Sequence, residues 1–267
     1  MRIRSIRAFV TLIAVLSTIS AAIAQDAGRP DRVAGRPNLN GIWKAANTAN
    51  WNLEAHSAEA LDEFWQLGAI GAIPAGQSVI QGGGPIPYLP EALAERDANR
   101  ANWPAADPEA NCYMLGIPRY TYHEIPFQIF QGVGDILMSY PFAAGNRMIR
   151  MNDDSELPLD SWMGKSSGQW DGDVLVVRTT NQNGMGWLDR AGNHFSNQLV
   201  VTERFELQGS DHIRYQATLE DPLTFSEPWT IEMPLYRLIE DNAQLLEHKC
   251  VPFADMLLYS DLLLQEE

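Results

Sequence analysis

Cysteine is scarce in this chain. Only Cys112 and Cys250 occur in 267 residues, and there is no internal repeat, so neither a disulfide-dense scaffold nor a repeat solenoid is available. Positive charge is also short: 19 Lys and Arg stand against 34 Asp and Glu, a net charge of −15. That balance repels phosphate backbones and anionic lipid, which argues against nucleic acid or a membrane surface as partner. Cofactor signatures are missing too. There is no dinucleotide glycine fingerprint, P-loop, His-Glu-x-x-His or Cys-x-x-Cys-His, and the acidic run 152–156 lacks the ladder of an EF-hand and reads as a solvated loop. The glycine run 82–84 follows no strand and precedes no Lys-Ser/Thr, so it reads as a connector and not a phosphate cradle. Any chemistry is therefore expected to rest on the protein's own side chains, with no cofactor and no metal.

What is present is an ordinary globular composition, 45% hydrophobic and 20% charged. Its length suits one large all-β domain or two small ones. Arg2, Arg4 and Arg7 precede an apolar stretch from Ala8 to Ile19 and a small-x-small site at Ala22-Ile23-Ala24. This pattern predicts a secretory signal peptide over 1–24 and a periplasmic or secreted protein, since the apolar run is shorter than the roughly 20 residues of a span. Cleavage leaves 16 basic against 34 acidic residues, a net charge of −18, and no membrane attachment. Export places both cysteines in an oxidising compartment, where one pairing is possible; the sequence leaves open whether they are joined. Zinc ligation by Cys250 with His248 finds no second Cys or His at zinc spacing.

The mature chain, 25–267, reads as a single β-barrel domain. After the entry strand at Asn40-Gly41-Ile42-Trp43, residues 44–112 form a helical or irregular insertion. Helices are expected at Ser57–Gln66, with Ser57 as N-cap, and at Pro90–Trp103, where Pro90 suits the first turn. From Pro126 the hydrophobic period changes to two. Strands are expected at Phe127–Gln131, Ile136–Tyr140, Arg147–Met151, Val174–Thr179, Leu199–Leu207, His212–Glu220, Trp229–Met233 and Leu245–Cys250, with turns such as Asp171-Gly172 between them. The fold class is mainly β: an antiparallel up-and-down barrel, or else a sandwich, ended by a short helix over Phe253–Leu264.

Three groups of residues invite chemistry. Alternation along Leu199–Leu207 sets Glu203 on the apolar face with Val201 and Phe205, so it points into the barrel. There it is either a carboxylate with a raised pKa, suited to acid/base work, or the partner of an inward arginine such as Arg147 or Arg178, whereas a bulge in the strand would turn it to water. Asp189 and His194 flank a glycine turn just before that strand, spaced so that the carboxylate could orient the imidazole, or else simply organise the turn. Trp162, Trp170, Trp187 and Phe127 are dense enough to line an apolar cavity, although core packing uses the same residues. Tyr122, within the cluster of Arg119, Tyr120 and His123, offers a proton donor or a member of a buried network.

The stretches Cys112-Tyr113-x-x-Gly116-Ile117-Pro118-Arg119, Trp162-Met163-Gly164, Gly168-Gln169-Trp170-Asp171-Gly172-Asp173, Trp187-Leu188-Asp189-x-x-Gly192-Asn193-His194 and Glu203-Arg204-Phe205 resemble a family of exported, uncharacterised bacterial proteins from soil bacteria and sphingomonads. The resemblance spans about Asn38 to Cys250. It implies an exported protein but no family-wide reaction, and Lys165 departs from the His or Asp expected after Trp-Met-Gly. The tryptophan-glycine-aspartate hairpin and the Asn-Gly-Ile-Trp entry are also similar to lipocalin-like barrels.

Together these features predict a cofactor-free acid/base enzyme of the lyase, hydratase, isomerase or hydrolase type, acting on a small apolar or aromatic molecule in the barrel. His194, oriented by Asp189, is the expected base, Glu203 the acid or electrostatic partner, and Arg204 or Tyr122 the anion stabiliser. The alternative is a lipocalin-like carrier of a hydrophobic ligand without catalysis.

Overall fold

The computed structural model describes residues 31–61, 72–155 and 157–252. The predicted signal peptide and the predicted helix over Phe253–Leu264 lie outside them. The protein is mainly β. Two short hairpin-like pairs, β1 (Arg32–Val33) with β2 (Arg36–Pro37) and β4 (Glu59–Ala60) with β5 (Ala72–Ile73), accompany a closed barrel of nine strands. The barrel strands are β3 (Gly41–Ala45), β6 (Phe127–Gln131), β7 (Ile136–Tyr140), β8 (Gly145–Met151), β9 (Lys165–Asp171), β10 (Val174–Thr180), β11 (Val200–Gln208), β12 (His212–Glu220) and β13 (Trp229–Arg237). They follow one another round the barrel in chain order, and β13 closes on β3 through Leu235–Ala45, Tyr236–Lys44 and Arg237–Trp43.

An odd ring of strands cannot alternate in direction all the way round, so one neighbouring pair must run the same way. That pair is β8 and β9, with Ile149 opposite Ser166 and Met151 opposite Gly168. The expectation of a wholly antiparallel barrel is corrected here. The connection between Met151 of β8 and Lys165 of β9 has the length of the crossover that a parallel pair requires.

Alternation along each strand fills the interior. Val201, Glu203 and Phe205 of β11, Ile213, Tyr215, Ala217 and Leu219 of β12, and Ile231, Met233 and Leu235 of β13 are all buried. Glu203 meets Arg147, which projects inward from β8 and is 2% exposed. The guanidinium donates to both carboxylate oxygens, Nη1 at 3.2 Å from Oε1 and Nη2 to Oε2. It also donates to Ser166 Oγ of β9 and Thr179 Oγ1 of β10, each at 2.7 Å, while the Tyr215 hydroxyl donates to Glu203 at 2.9 Å. Burial alone would lower the Arg147 pKa, but the adjacent Glu203 carboxylate outweighs it and raises it. Glu203 is thus the partner of an inward arginine, the second of the two sequence alternatives; Arg178 points outward.

Two other expectations change. Ser57 does not cap a helix: the His56 backbone exchanges hydrogen bonds with Gly76 at 2.9 and 3.0 Å, and the ladder continues to Glu59 and Ile73. The remainder of that predicted helix, 62–66, lies outside the described residues. Residues 245–250 form no strand, because the barrel is closed and offers no edge to pair with. Helix α1 (Pro90–Ala101) forms where expected, with Pro90 in its first turn, and a single helical turn, α2 (Arg119–Tyr122), leads into β6. Cys112 and Cys250 are joined in a disulfide, tying the segment before α2 to the chain beyond β13. No helix among the described residues is long and apolar enough to cross a membrane.

Removing one partner of the interior ion pair leaves the other charged, buried and uncompensated. Glu203→Ala is expected to cost about 3–5 kcal/mol in urea unfolding, whereas the apolar double variant Arg147→Met/Glu203→Leu recovers most of that loss. A single variant within about 1 kcal/mol of wild type would contradict a structural role for the pair.

Candidate functional site

The residues singled out in the sequence do not converge on one cavity. Asp189 is fully buried, and its carboxylate accepts four N–H donors: Leu53 N at 2.9 Å, Ala191 N at 3.0 Å, Asn193 N at 3.3 Å and Asn193 Nδ2 at 2.7 Å. Burial pushes this carboxyl up to about 6, while Asn193 and Leu53 limit the rise. It does not hold His194. The imidazole Nε2 lies 2.9 Å from the Ala92 carbonyl, which can only accept, so that nitrogen carries the proton; the ring stacks on Tyr88, and Nδ1 is 3.7 Å from Glu95. The expected Asp189–His194 pair is therefore absent. The two side chains leave the turn in different directions, one fastening it to residues 50–53 and the other clamping α1.

Tyr122 donates its hydroxyl proton to the Leu188 carbonyl at 2.7 Å, and burial, then Asp189, push its pKa well up, so it stays a protonated structural donor. Phe127 packs on Tyr140 inside the barrel. Trp187 is buried beside His194, Trp162 stacks on exposed Tyr113 at 5.2 Å, and Trp170 lies under the Arg36 guanidinium. Arg204 points outward to Asp171 at 3.0 Å. These aromatics are spread over the barrel interior, the β10–β11 turn and the outer surface.

A cleft does exist, outside the barrel. Its volume is about 120 Å³, and it is walled by Trp51, His56, Trp103, Arg100, Glu59 and Arg190, with Ile73 and Ala191 at its sides. Trp51 and His56 come from the chain between β3 and β4. Arg100 sits in the last turn of α1 and Trp103 just beyond it, while Arg190 lies on the turn between β10 and β11. The tryptophan rings are 5.9 Å apart and inclined at 57°. Gly192 holds the turn against α1: its φ is +85°, and a Cβ there would fall 2.6 Å from the Arg100 backbone nitrogen.

Behind the cleft stands a buried charge network. Arg119 donates to Asp107 at 3.0 and 3.2 Å, to Asn50 at 2.8 Å, and to Glu109. Arg190 donates to Glu109 at 2.6 and 2.9 Å and to Glu124 at 3.1 Å, and its guanidinium lies 4.2 Å from the centre of the Trp51 ring. His123 Nδ1 accepts from Ile125 N, so Nε2 donates to Glu109 at 3.0 Å. Burial would raise the Glu109 pKa, but Arg190, then Arg119, and the hydrogen bond from His123 hold it well below the usual carboxylate range. Glu109, His123 and Glu124 bring potential ligand atoms within 4.8 Å of one another. Yet their oxygens already accept from two guanidiniums, whose charge a metal ion would face at hydrogen-bond distance. This donor set fits an ion-pair network, and through it Arg190 and Trp51 are fixed as one wall of the cleft.

His56 completes the site. Its Nδ1 lies 2.8 Å from the Glu54 carbonyl and must therefore carry the proton, which leaves Nε2 as a bare acceptor. That nitrogen is buried without a hydrogen-bond partner. Gly76 packs against the ring so closely that a Cβ would fall 2.3 Å from Cε1. His56, Trp51, Trp103 and Arg100 were not singled out from the sequence. Their one visible signal was two tryptophans and a histidine in a segment with no strand period to bury them.

Compared with models of known protein families the sequence matches none, and no curated protein matches it.

The depressed Glu109 carboxyl sets a pH test of the network. Its pairing contributes in full above the ordinary glutamate value of 4.5 and is lost as pH falls from there through the depressed value. Glu109→Gln is expected to be destabilised by a constant amount, about 3 kcal/mol, from pH 8 to about 5. The gap to wild type should narrow on acidification below that. A gap that widened on acidification would contradict the assignment.

Proposed function

We propose that the protein binds a small, flat, apolar or aromatic molecule in the Trp51–Trp103 cleft and acts on it by proton transfer without a cofactor, His56 Nε2 serving as the base. The observation that carries this reading is the unpartnered Nε2. A buried acceptor without a donor costs about 1–3 kcal/mol, and a ligand donor in the cleft would satisfy it. Of the three buried side-chain atoms left without a partner among the described residues, in His56, Thr121 and Trp229, only that of His56 is carried by a residue that lines the cleft. The tautomer fixed by Glu54 leaves the lone pair ready to take a proton. Reactions open to such a base are those of a lyase, hydratase, isomerase or hydrolase.

The strand order, a meander in chain order apart from one parallel joint, supports reading the barrel as lipocalin-like. A carrier role then differs from catalysis only in what becomes of the ligand in the same cleft. Export to the periplasm or medium is part of this reading, supported by the basic, apolar and small-residue pattern of the first 24 residues and by the Cys112–Cys250 disulfide. The resemblance to exported bacterial proteins points the same way.

The test is untargeted mass spectrometry of an aromatic and terpenoid extract incubated with wild type, His56→Gln and His194→Ala. A compound consumed by wild type should be consumed about 10²-fold more slowly or less by His56→Gln, with His194→Ala close to wild type. Loss of turnover in His194→Ala alone would return the chemistry to the β10–β11 turn. A compound retained unchanged by every variant would identify a carrier.

A further inference from the structure

Two guanidiniums line the cleft, and their surroundings differ. Arg190 is consumed: two carboxylates accept from it and the Trp51 face covers it. Arg100 is not. Its charge faces Glu59 at 3.7 Å, beyond hydrogen-bond length, and the two side chains are 55% and 54% exposed. An exposed pair at that separation is worth little and exchanges readily for a better partner. Arg100 therefore lines a tryptophan-walled cleft with donors to spare.

We propose that the molecule taken by this cleft is a small planar carboxylate, its ring laid against Trp51 and Trp103 and its anionic end received by Arg100 in place of Glu59. The proposal rests on the cleft being the binding site, as argued above, and adds the ligand's charge and size. Size follows from volume: about 120 Å³ is a little less than the roughly 150 Å³ of an engineered apolar cavity that holds benzene, so one ring fills the cleft and its substituent lies at the mouth. Charge follows from the fork, whose parallel N–H groups match a carboxylate in two-point geometry. A neutral isostere offers the same ring but no partner for the cation. The net charge of −15 opposes anions at long range, so recognition must come from this local imbalance. Gly192 seats the turn that carries Arg190 against the last turn of α1, which carries Arg100.

Sodium benzoate and benzamide separate these contributions, titrated into the mature protein by isothermal calorimetry with tryptophan fluorescence alongside. Benzoate should bind one to one and about 10-fold or more tighter than benzamide. Arg100→Gln should bring benzoate down to the benzamide level and leave benzamide unchanged, whereas Glu59→Gln should tighten benzoate several-fold by removing its competitor. Both substituted side chains are half-exposed, and far-UV circular dichroism checks that the fold is kept. Equal binding of the two probes to wild type, or benzoate binding untouched by Arg100→Gln, would overturn the carboxylate assignment and leave the cleft standing. Saturable binding of neither probe would overturn the assignment and the cleft together.

Discussion

The interior ion pair between Arg147 and Glu203 is the constraint around which the barrel is organised. A guanidinium and a carboxylate removed from water must find all their partners inside, and here these come from successive strands: Ser166 on β9, Thr179 on β10 and Tyr215 on β12 join Arg147 on β8 and Glu203 on β11. A one-residue slip of any of these strands would turn its polar group out and an uncompensated charge would remain. The pair adds little net stability compared with an apolar core, but it specifies one register for five strands. The parallel joint between β8 and β9 falls within this group, where side-chain bonds from Arg147 to Ser166 reinforce the backbone ladder.

A barrel centre filled in this way leaves its charged and aromatic groups committed to one another, and the proposed binding surface lies elsewhere. The segment between β3 and β4, the end of α1 and the β10–β11 turn supply it. They are held together by Asp189, which ties that turn to Leu53, and by His194, which ties it to Ala92. Sequence reading chose those two residues for their chemistry. Their chemistry is used, but for fastening: each spends its hydrogen-bonding capacity on backbone groups, or on Asn193, that would otherwise be buried unpaired.

How far the sequence spoke depended on which face each strand had to satisfy. β6, β7 and β12 were legible to the residue because their inward positions alternate cleanly. β9 escaped notice because its inward positions are Ser166 and Gly168, a hydroxyl for Arg147 and a small residue beside Met151, so the period of two is there without hydrophobicity. The strand expected at 245–250 shows the converse, since alternation alone cannot make a strand once the sheet has closed. Glu203 was rightly placed inside, and its partner could be narrowed to two arginines, but choosing Arg147 over Arg178 needed the registers of the strands between. His56 and the two tryptophans were illegible for a different reason: residues far apart in sequence become a cleft only when α1 and two loops meet.

Two buried arginine–carboxylate networks stand out among the described residues, and the contrast between them supports the proposed site better than either does alone. In the barrel, each donor nitrogen of Arg147 and both oxygens of Glu203 are engaged by groups that are themselves buried. In the second, the chain from Asp107 through Arg119 and Glu109 is equally buried at its root, but it emerges at Arg190 and Trp51, which line the cleft together with His56, whose Nε2 lacks a partner. Rigidity at the root, with a buried unsatisfied acceptor and an exposed, underused cation among the cleft residues, suits the binding proposed for the cleft, because ordering costs are met on folding and not on association. The same residue types in the barrel serve register; here they hold the walls of the proposed binding cleft still.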